Sequence, residues 1–333
     1  MSTLRSIAER TGLAVTTVSE ILRGKPGYHE DTCKRVQDAA RRLSYRPSVA
    51  ARQLRGGRSG LLGVLIGMDN PQVNFDRLAC LERAAFGLGF RLVVGQIHEG
   101  DAKVAHYVED FVSRGMDGIL WLHQPFAKKM TIPPGLLKQV DTLVSLDKPL
   151  APGAGCVKVD YAAGVGEAVR YLQSKGRRRI ALALAGKGQP GDPMRARLAG
   201  FQEAAGAESK ELVWLGEMEE FPRPERIKAA IRQLVKQGCA DALIASNDLW
   251  ATAFLKGLKA EGIAVPAEVA VVGFDNLAWT AWLDPALTTV DQQHEPFARA
   301  ALGLLDRQIK GPPLTPRERV VVVTPRLVIR ESA

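Results

Sequence analysis

Short, hydrogen-bonding side chains stand close together near the start of the chain, in a stretch with the spacing of a helix. They are Thr16, Thr17, Ser19 and Glu20. The apolar residues among them, beginning with Val18, recur at helical spacing and predict a helix over about residues 15–23 with the polar residues facing outward. Hydroxyl and carboxylate groups of this kind suit hydrogen bonds to base edges in the major groove of DNA.

Two further helices are predicted around this one. Leu4, Ile7 and Ala8 give the preceding helix an apolar face, and Gly12 suits the positive φ of the tight turn between the two. A third helix is predicted over about residues 31–44. Two helices at a steep angle, steadied by a third, form a helix-turn-helix whose second helix can enter the major groove. The same pattern is also consistent with an ordinary three-helix cap of a larger domain.

Most of the positive charge lies in the first 60 residues. That segment has 12 Lys and Arg against 5 Asp and Glu, a net charge of +7 out of the +9 of the whole 333-residue chain. A basic segment on a nearly neutral body is the electrostatic footprint of a module that binds the phosphate backbone. The charge therefore favours DNA binding over a solvated basic face without function.

Composition narrows the class of protein further. The chain is 46% hydrophobic and 24% charged, which is ordinary for a globular protein of two or three domains. No apolar run reaches the roughly 18 residues of a membrane span, and charges interrupt the N-terminus where a signal peptide would be apolar. The four cysteines and five histidines are scattered without ligand spacing. We expect a cytoplasmic protein with reduced thiols, no metal and no cofactor.

Four motifs together resemble one known family. They are TLRSIAERTGLAVTTVSEILRGK (3–25), TCKRVQDAARRLSYRPSVAARQL (32–54), GFDN (273–276) and DPALTTV (284–290). In order and spacing they resemble the LacI/GalR family of bacterial transcription regulators over essentially the whole chain. Each motif is modest alone, and their combination is specific.

The resemblance implies a hinge helix after the head. Residues 48–54 can form a short helix that is marginal by itself, and a basic, glycine-rich linker follows to residue 60. In the family this helix pairs with that of a dimer mate and wedges a leucine, here Leu54, into the minor groove. A plain domain linker is the alternative.

The predicted DNA-contacting residues follow from the helix pattern and the resemblance together. They are Thr3, Val15, Thr16, Thr17, Ser19, Glu20, Ser48, Ala51 and Leu54. Three positions depart from the family pattern: Ala14 replaces the usual N-cap serine, Glu20 a common arginine, and Ser48 a frequent asparagine. A carboxylate at position 20 can accept from cytosine N4, so the operator is expected to differ from the family's usual consensus.

From residue 61 onward, strand-like apolar runs alternate with helical stretches. Near-continuous apolar strands of this kind indicate parallel sheets covered on both faces, and their number favours two Rossmann-like lobes with a cleft between them. The fold class expected is therefore an α-helical helix-turn-helix head plus an α/β body of two Rossmann-like lobes, which the resemblance makes periplasmic-binding-protein-like. The predicted boundaries are 1–46 for the head, 47–60 for the hinge, about 61–158 with 292–318 for the first lobe, and about 159–291 with 319–333 for the second.

Polar residues at strand ends are candidates for an effector site, because ligands bind at the carboxyl ends of strands in such sheets. Asp275 and Asn247 follow predicted strands, and Arg197 lies near the start of a helix. The resemblance implies that the same three residues bind the effector. The alternatives are that Asp275 and Asn247 cap helices and that Arg197 forms a surface ion pair.

Aromatic side chains are candidates for a surface on which a sugar stacks. Phe75, Phe221 and Trp250 are predicted in or beside loops that flank the cleft, although aromatic residues near strand ends are more often core.

Residues 186–191 form a G-x-G-x-x-G motif after a predicted strand, which suggests a dinucleotide-binding enzyme. Its third glycine precedes the predicted helix, and the motif does not open its sheet, so this class is disfavoured. A binding protein without DNA function is the other rival, and the basic head argues against it. We expect a homodimeric, non-enzymatic regulator, most simply a repressor, that binds a pseudopalindromic operator and a small polar effector such as a sugar or derivative.

Overall fold

The computed structural model describes ten stretches of the chain, which cluster into two compact units that meet between residues 59 and 60. The described residues are 3–22, 24–45, 58–67, 71–97, 103–122, 134–140, 142–185, 193–205, 212–214 and 222–333. Ser48, Ala51, Leu54 and Phe221, and the glycine motif at 186–191, lie outside them. The predictions on those residues therefore stay predictions.

The first unit contains three short helices. They are α1 (Leu4–Thr11), α2 (Val15–Leu22) and α3 (Glu30–Arg42). Gly12 ends α1 in the left-handed region at φ 68°. Ile7, Val18 and Val36, one from each helix, are fully buried against one another. The predicted helices are confirmed to within two residues at each end, with α3 ending at Arg42 rather than 44.

The body contains twelve described strands and eight described α-helices. The strands are β1 (Leu61–Gly67), β2 (Arg91–Ile97), β3 (Gly118–Leu122), β4 (Leu143–Leu146), β5 (Gly155–Val159), β6 (Ile180–Leu184), β7 (Leu212–Trp214), β8 (Ala242–Ala245), β9 (Ala270–Phe274), β10 (Thr288–Asp291), β11 (Val320–Val323) and β12 (Arg326–Val328). The helices are α4 (Pro71–Gly87), α5 (Lys103–Ser113), α6 (Pro134–Leu137), α7 (Tyr161–Ser174), α8 (Pro193–Ala204), α9 (Pro224–Ile231), α10 (Asp248–Ala260) and α11 (His294–Lys310). A π-helical turn continues α9 through Lys236.

The first lobe is built on a wholly parallel sheet in the order β11-β5-β4-β3-β1-β2. Its central strands are buried along their length, as expected for a sheet covered on both faces. Helix α11 packs closely on this sheet, because a Cβ on Gly118 would lie only 2.3 Å from Leu305 Cδ2.

The second lobe is built on a sheet in the order β12-β10-β9-β8-β6-β7, in which only β12 is antiparallel to its neighbour. Helices α7 and α8 approach closely on one face, where a Cβ on Gly200 would lie 2.2 Å from the Ala162 carbonyl oxygen. The two sheets confirm the predicted pair of Rossmann-like lobes.

The chain crosses between the lobes three times. It does so after β5, between β10 and α11, and between β11 and β12. The expected boundary at residue 318 is wrong, since β11 pairs with β5 in the first lobe and the chain leaves only after Val323. Pro325, which has no N–H to continue a strand, follows that break. In the described part of the chain, no helix combines the length and hydropathy that crossing a membrane requires.

Candidate functional site

The exposed face of α2 carries part of the predicted DNA-reading set. Val15 is 41% exposed, Thr16 is exposed, and Thr17 is half-buried. The expectation that Ser19 faces outward is wrong, because the residue is only 7% exposed. Thr3 caps α1, where its hydroxyl oxygen accepts from the Ser6 backbone N–H at 3.2 Å.

Glu20 is held in place by its neighbours in the head. Its Oε1 accepts from Lys25 Nζ at 2.7 Å, and its Oε2 accepts a short hydrogen bond from the Tyr28 hydroxyl. The carboxylate is therefore half-buried and partly neutralised rather than fully outward. The preceding Ala14 offers no side-chain oxygen, yet α2 still begins at Val15.

Asp275 lies directly after β9, at the carboxyl edge of the second sheet. Its backbone has φ 125°, and its side chain is 3% exposed. Its Oδ1 accepts a hydrogen bond of 2.5 Å from the side-chain amide of Gln292, which lies in the segment that crosses between the lobes. The residue sits at a strand end, as the sequence suggested, and does not cap a helix.

Arg197 projects from α8 into the interior of the body. Its Cζ lies 4.7 Å from the ring centroid of Tyr161 and 4.0 Å from that of Phe274, the residue before Asp275. Its side chain is 4% exposed, which rules out the alternative of a surface ion pair. Arg197 and Asp275 are thus brought to the same end of the second sheet.

Asn247 caps a helix, which was the alternative to a role in effector binding. Its Oδ1 accepts from the Trp250 backbone N–H at 3.0 Å, which makes it the N-cap of α10. The preceding residue, Ser246, lies near Arg197 through one methionine, since Arg197 Nη1 lies 3.7 Å and Ser246 Oγ lies 3.5 Å from Met194 Sδ. The oxygen of the Asn247 amide is used by the cap.

Two of the aromatic predictions need correction. Trp250 is 1% exposed and packs with Phe254 and Leu258 in the core of the second lobe, so it cannot present a face to a ligand. Phe75 is 59% exposed but lies within α4 rather than in a loop, because that helix begins earlier, at Pro71.

Four residues that the sequence did not single out complete the cluster: Arg77, Asp147, Tyr161 and Gln292. Arg77 Nη2 donates to Gln292 Oε1 at 3.0 Å, so one guanidinium, one amide and the Asp275 carboxylate form a continuous chain. Asp147 accepts from the Val159 N–H and from the Tyr161 hydroxyl, each at 3.0 Å. The cluster therefore spans α4 and β4 of the first lobe, the crossing segments, and β9 of the second.

A signal for these residues existed in the sequence. Asp147 and Gln292 follow predicted strands, as Asp275 does, so the same rule would have found them. Arg77 occupies a position in the buried stripe of α4, four residues from Val73 and from Leu81, where an apolar residue is expected.

Burial dominates the electrostatics of the cluster. It raises the pKa of the Asp147 carboxyl, against which the hydrogen bond from Val159 and the charges of Arg77 and Arg197 act. Burial also raises the pKa of Tyr161 well above its usual value, with the charge of Asp147 acting in the same direction. Tyr161 thus stays a neutral hydroxyl at physiological pH. Carboxylate acceptors and guanidinium donors over aromatic faces form an arrangement that suits a small polar molecule rich in hydroxyls.

Both parts of the chain match known families. The model of bacterial regulatory proteins of the lacI family matches residues 3–48, and that of the periplasmic binding protein-like domain matches residues 169–333. An uncharacterized HTH-type transcriptional regulator in the aml 5' region of Streptomyces limosus is 30% identical, over 99% of this chain and 93% of that protein. The ribose operon repressor of Halalkalibacterium halodurans is 28% identical, over 100% and 97%.

A solved structure agrees with the fold over the whole length. The Lac repressor dimer bound to operator and the anti-inducer ONPF superposes with a TM-score of 0.77 at 20% identity, over 99% of this chain and 98% of that one. Head and body together thus define a DNA-binding transcription regulator with a periplasmic-binding-protein-like body. The chain belongs to the lacI family of bacterial regulatory proteins.

Proposed function

We propose that the protein is a repressor whose affinity for its operator is set by a small polar effector bound between the two lobes. The observation that carries this proposal is the chain from Arg77 through Gln292 to Asp275, which connects polar groups of both lobes at a crossing segment. A ligand there changes the contacts between the lobes, so it can favour one lobe arrangement over another.

A sugar or sugar derivative fits the chemistry of the cleft. The Asp147 and Asp275 carboxylates can accept from hydroxyl groups, and the Arg197 guanidinium can donate to ring or hydroxyl oxygens. The ribose operon repressor among the relatives supports a pentose as the first compound to test.

We assign operator reading to the exposed face of α2 in a homodimer. Val15 and Thr16 are the exposed candidates for base contact, with Thr17 beside them. Glu20 is a further candidate for base contact, because a carboxylate can accept from the exocyclic amino group of cytosine. Leu54 is proposed to enter the minor groove at the centre of a pseudopalindrome.

We further propose that the protein has no catalytic activity and works in the cytoplasm, where its operator lies. The support is the lacI family, which consists of DNA-binding regulators.

The test compares operator affinity with and without effector in the wild type and in Asp275→Ala. Full-length protein is titrated onto labelled duplex containing its selected operator, in the presence of pooled sugars and then of single compounds. The proposal predicts that one compound changes the wild-type affinity at least tenfold, and that Asp275→Ala binds operator normally but loses this response. A response that survives in Asp275→Ala would contradict the cleft assignment.

A further inference from the structure

Arg77 is a buried cation that makes no direct contact with a carboxylate of the described residues. Its side chain is 3% exposed, and its Cζ lies 4.8 Å from the ring centroid of Phe297. Its only hydrogen-bond acceptor among the described residues is the neutral amide oxygen of Gln292. Nε is buried and makes no hydrogen bond, and no carboxylate of the described residues lies within the 4.0 Å of an ion pair.

This arrangement is energetically unfavourable in the absence of a ligand. A buried charge is normally paired, because desolvation of an isolated ion is costly. A cation–π contact with one ring offsets only part of that cost. The site thus favours a negatively charged group that reaches Arg77 from the cleft.

The nearby carboxylates are already engaged elsewhere. Asp147 accepts from the Val159 N–H and the Tyr161 hydroxyl, and Asp275 accepts from the amide of Gln292. Gln292 thus stands between Arg77 and Asp275 and prevents their direct pairing. The buried Nε of Arg77 therefore remains available to another acceptor.

His294, at the start of α11, supplies a second and independent observation. Both ring nitrogens are buried and lack a hydrogen-bond partner. Burial, followed by the charge of Arg77, lowers the pKa of His294 to about 3, so the ring is neutral near pH 7 and carries one N–H. Arg77 contacts Gln292 and Phe297, which stand on either side of His294 in the chain, so two N–H groups without acceptors lie in the same part of the cluster.

We propose that the effector carries an anionic group, a carboxylate or a phosphate, which accepts hydrogen bonds from Arg77 and His294. The effector is then a sugar acid or a sugar phosphate rather than a neutral sugar. This inference rests on the proposed effector cleft and names the class of molecule that fills it. The polyol part lies toward Asp275 and Arg197, and the anion lies toward α4 and α11.

The test uses full-length protein and variants that differ in charge at one position. Arg77→Met removes the cation at similar length, Arg77→Lys keeps it, and Arg83→Met removes an exposed cation from the same helix as a control. Thermal unfolding at constant ionic strength is followed with inorganic phosphate and with acetate, and binding is confirmed by calorimetry. Because Arg77→Met removes an unpaired buried charge, it is expected to fold.

The proposal predicts saturable stabilisation of the wild type and of Arg83→Met by phosphate or acetate. Affinity should fall at least tenfold in Arg77→Met and be partly restored in Arg77→Lys. The anion that acts identifies the group as phosphate or carboxylate. No saturable stabilisation, or equal stabilisation of wild type and Arg77→Met, would overturn the proposal.

A second arm compares D-ribose, D-ribonate and D-ribose 5-phosphate, then other sugars with their acids and phosphates. An anionic member should bind at least tenfold more tightly than its neutral parent, and preference for the neutral parent contradicts the proposal. Operator binding without ligand is measured in parallel. Loss of operator binding would count against the regulator function alone, because the anion measurements need no DNA.

Discussion

The side-chain amide of Gln292 donates a 2.5 Å hydrogen bond to Oδ1 of Asp275. This bond ties the segment that leads into α11, which packs on the first lobe, to the carboxyl end of β9 in the second. A ligand hydroxyl that approaches Asp275 must share or replace it. On the proposed function, effector occupancy and lobe arrangement are coupled, and operator and effector influence each other's affinity by the same factor.

The Gln292–Asp275 bond should appear as a pairwise energy in a double-mutant cycle. We expect the free energies of unfolding of Gln292→Met, Asp275→Ala and the double variant to be non-additive by about 1–3 kcal/mol, because a buried hydrogen bond to a carboxylate lies in that range. Urea denaturation provides the measurement. The control cycle pairs Gln292→Met with Asp284→Asn, an exposed residue, and should be additive. Additivity in both cycles would show that the bond contributes nothing.

Trp250 should matter for stability and not for effector binding. Trp250→Phe leaves a gap beside Phe254 and Leu258, and we expect unfolding to become easier by about 1–2 kcal/mol. Effector affinity, measured by calorimetry with the compound found in the screen, should change less than twofold. A tenfold loss of affinity without a loss of stability would instead show that Trp250 takes part in effector binding.

Asp248 should stabilise the second lobe through the two hydrogen bonds that its carboxyl group accepts. It is fully buried, and its oxygens accept from the Leu277 N–H at 2.8 Å and the Thr289 hydroxyl at 2.5 Å. Burial, followed by the charge of Asp275, raises its pKa well above the usual value. Asp248→Ala leaves both donors without an acceptor and should lower the free energy of unfolding by about 2–5 kcal/mol. Asp248→Asn keeps an acceptor and should lower it less.

The pH dependence of the same residue has a definite sign. Because its pKa is raised in the folded state, its contribution is fully present below the unfolded pKa and is lost as pH rises through the folded pKa. Wild type should therefore lose stability relative to Asp248→Asn as pH rises from 4. A pH-independent difference between the two, measured by urea denaturation, contradicts a raised pKa.

His294 should have the opposite effect on the pH dependence of stability. The pKa of its ring falls to about 3 on folding. Below pH 6.5 the unfolded chain therefore binds a proton on this histidine that the folded chain does not, and the protein becomes less stable as the pH decreases. Between pH 7.5 and 5, wild type should lose about 2 kcal/mol more than His294→Gln, since each pH unit below 6.5 costs about 1.4 kcal/mol. His106→Gln serves as a control on another histidine. Parallel pH profiles for wild type and His294→Gln would contradict a neutral buried ring.

The periodic parts of the molecule were predictable from sequence for a physical reason. Helix and strand periods report which face is buried, so the head helices and both parallel sheets follow from apolar spacing. Trp250 was misassigned because its position near a strand end outweighed its helical spacing with Phe254 and Leu258. That spacing shows the buried face of α10.

The polar parts were predictable only where backbone geometry fixes them. Asp275 follows a strand, and strand ends meet at one edge of a sheet. Arg77 depends on contacts with Gln292 and Phe297, which lie more than 200 residues away in sequence. No local sequence pattern predicts such a contact, although an arginine at a buried position of a helix already indicates an unusual environment. The point at which the chain leaves the first lobe, after Val323, likewise depends on a distant contact. It is set by the pairing of β11 with β5 at the edge of the first sheet.

We propose that the head reads a specific DNA sequence and that the body controls this reading. The most direct measurement selects binding sites for the full-length protein from random duplex DNA, with residues 61–333 alone as a control. It is repeated with pooled sugars, sugar acids and sugar phosphates. The account predicts a pseudopalindrome enriched only by the full-length protein, with an enrichment that one pool changes at least tenfold. No enriched sequence in any pool, or equal enrichment by residues 61–333, would contradict it.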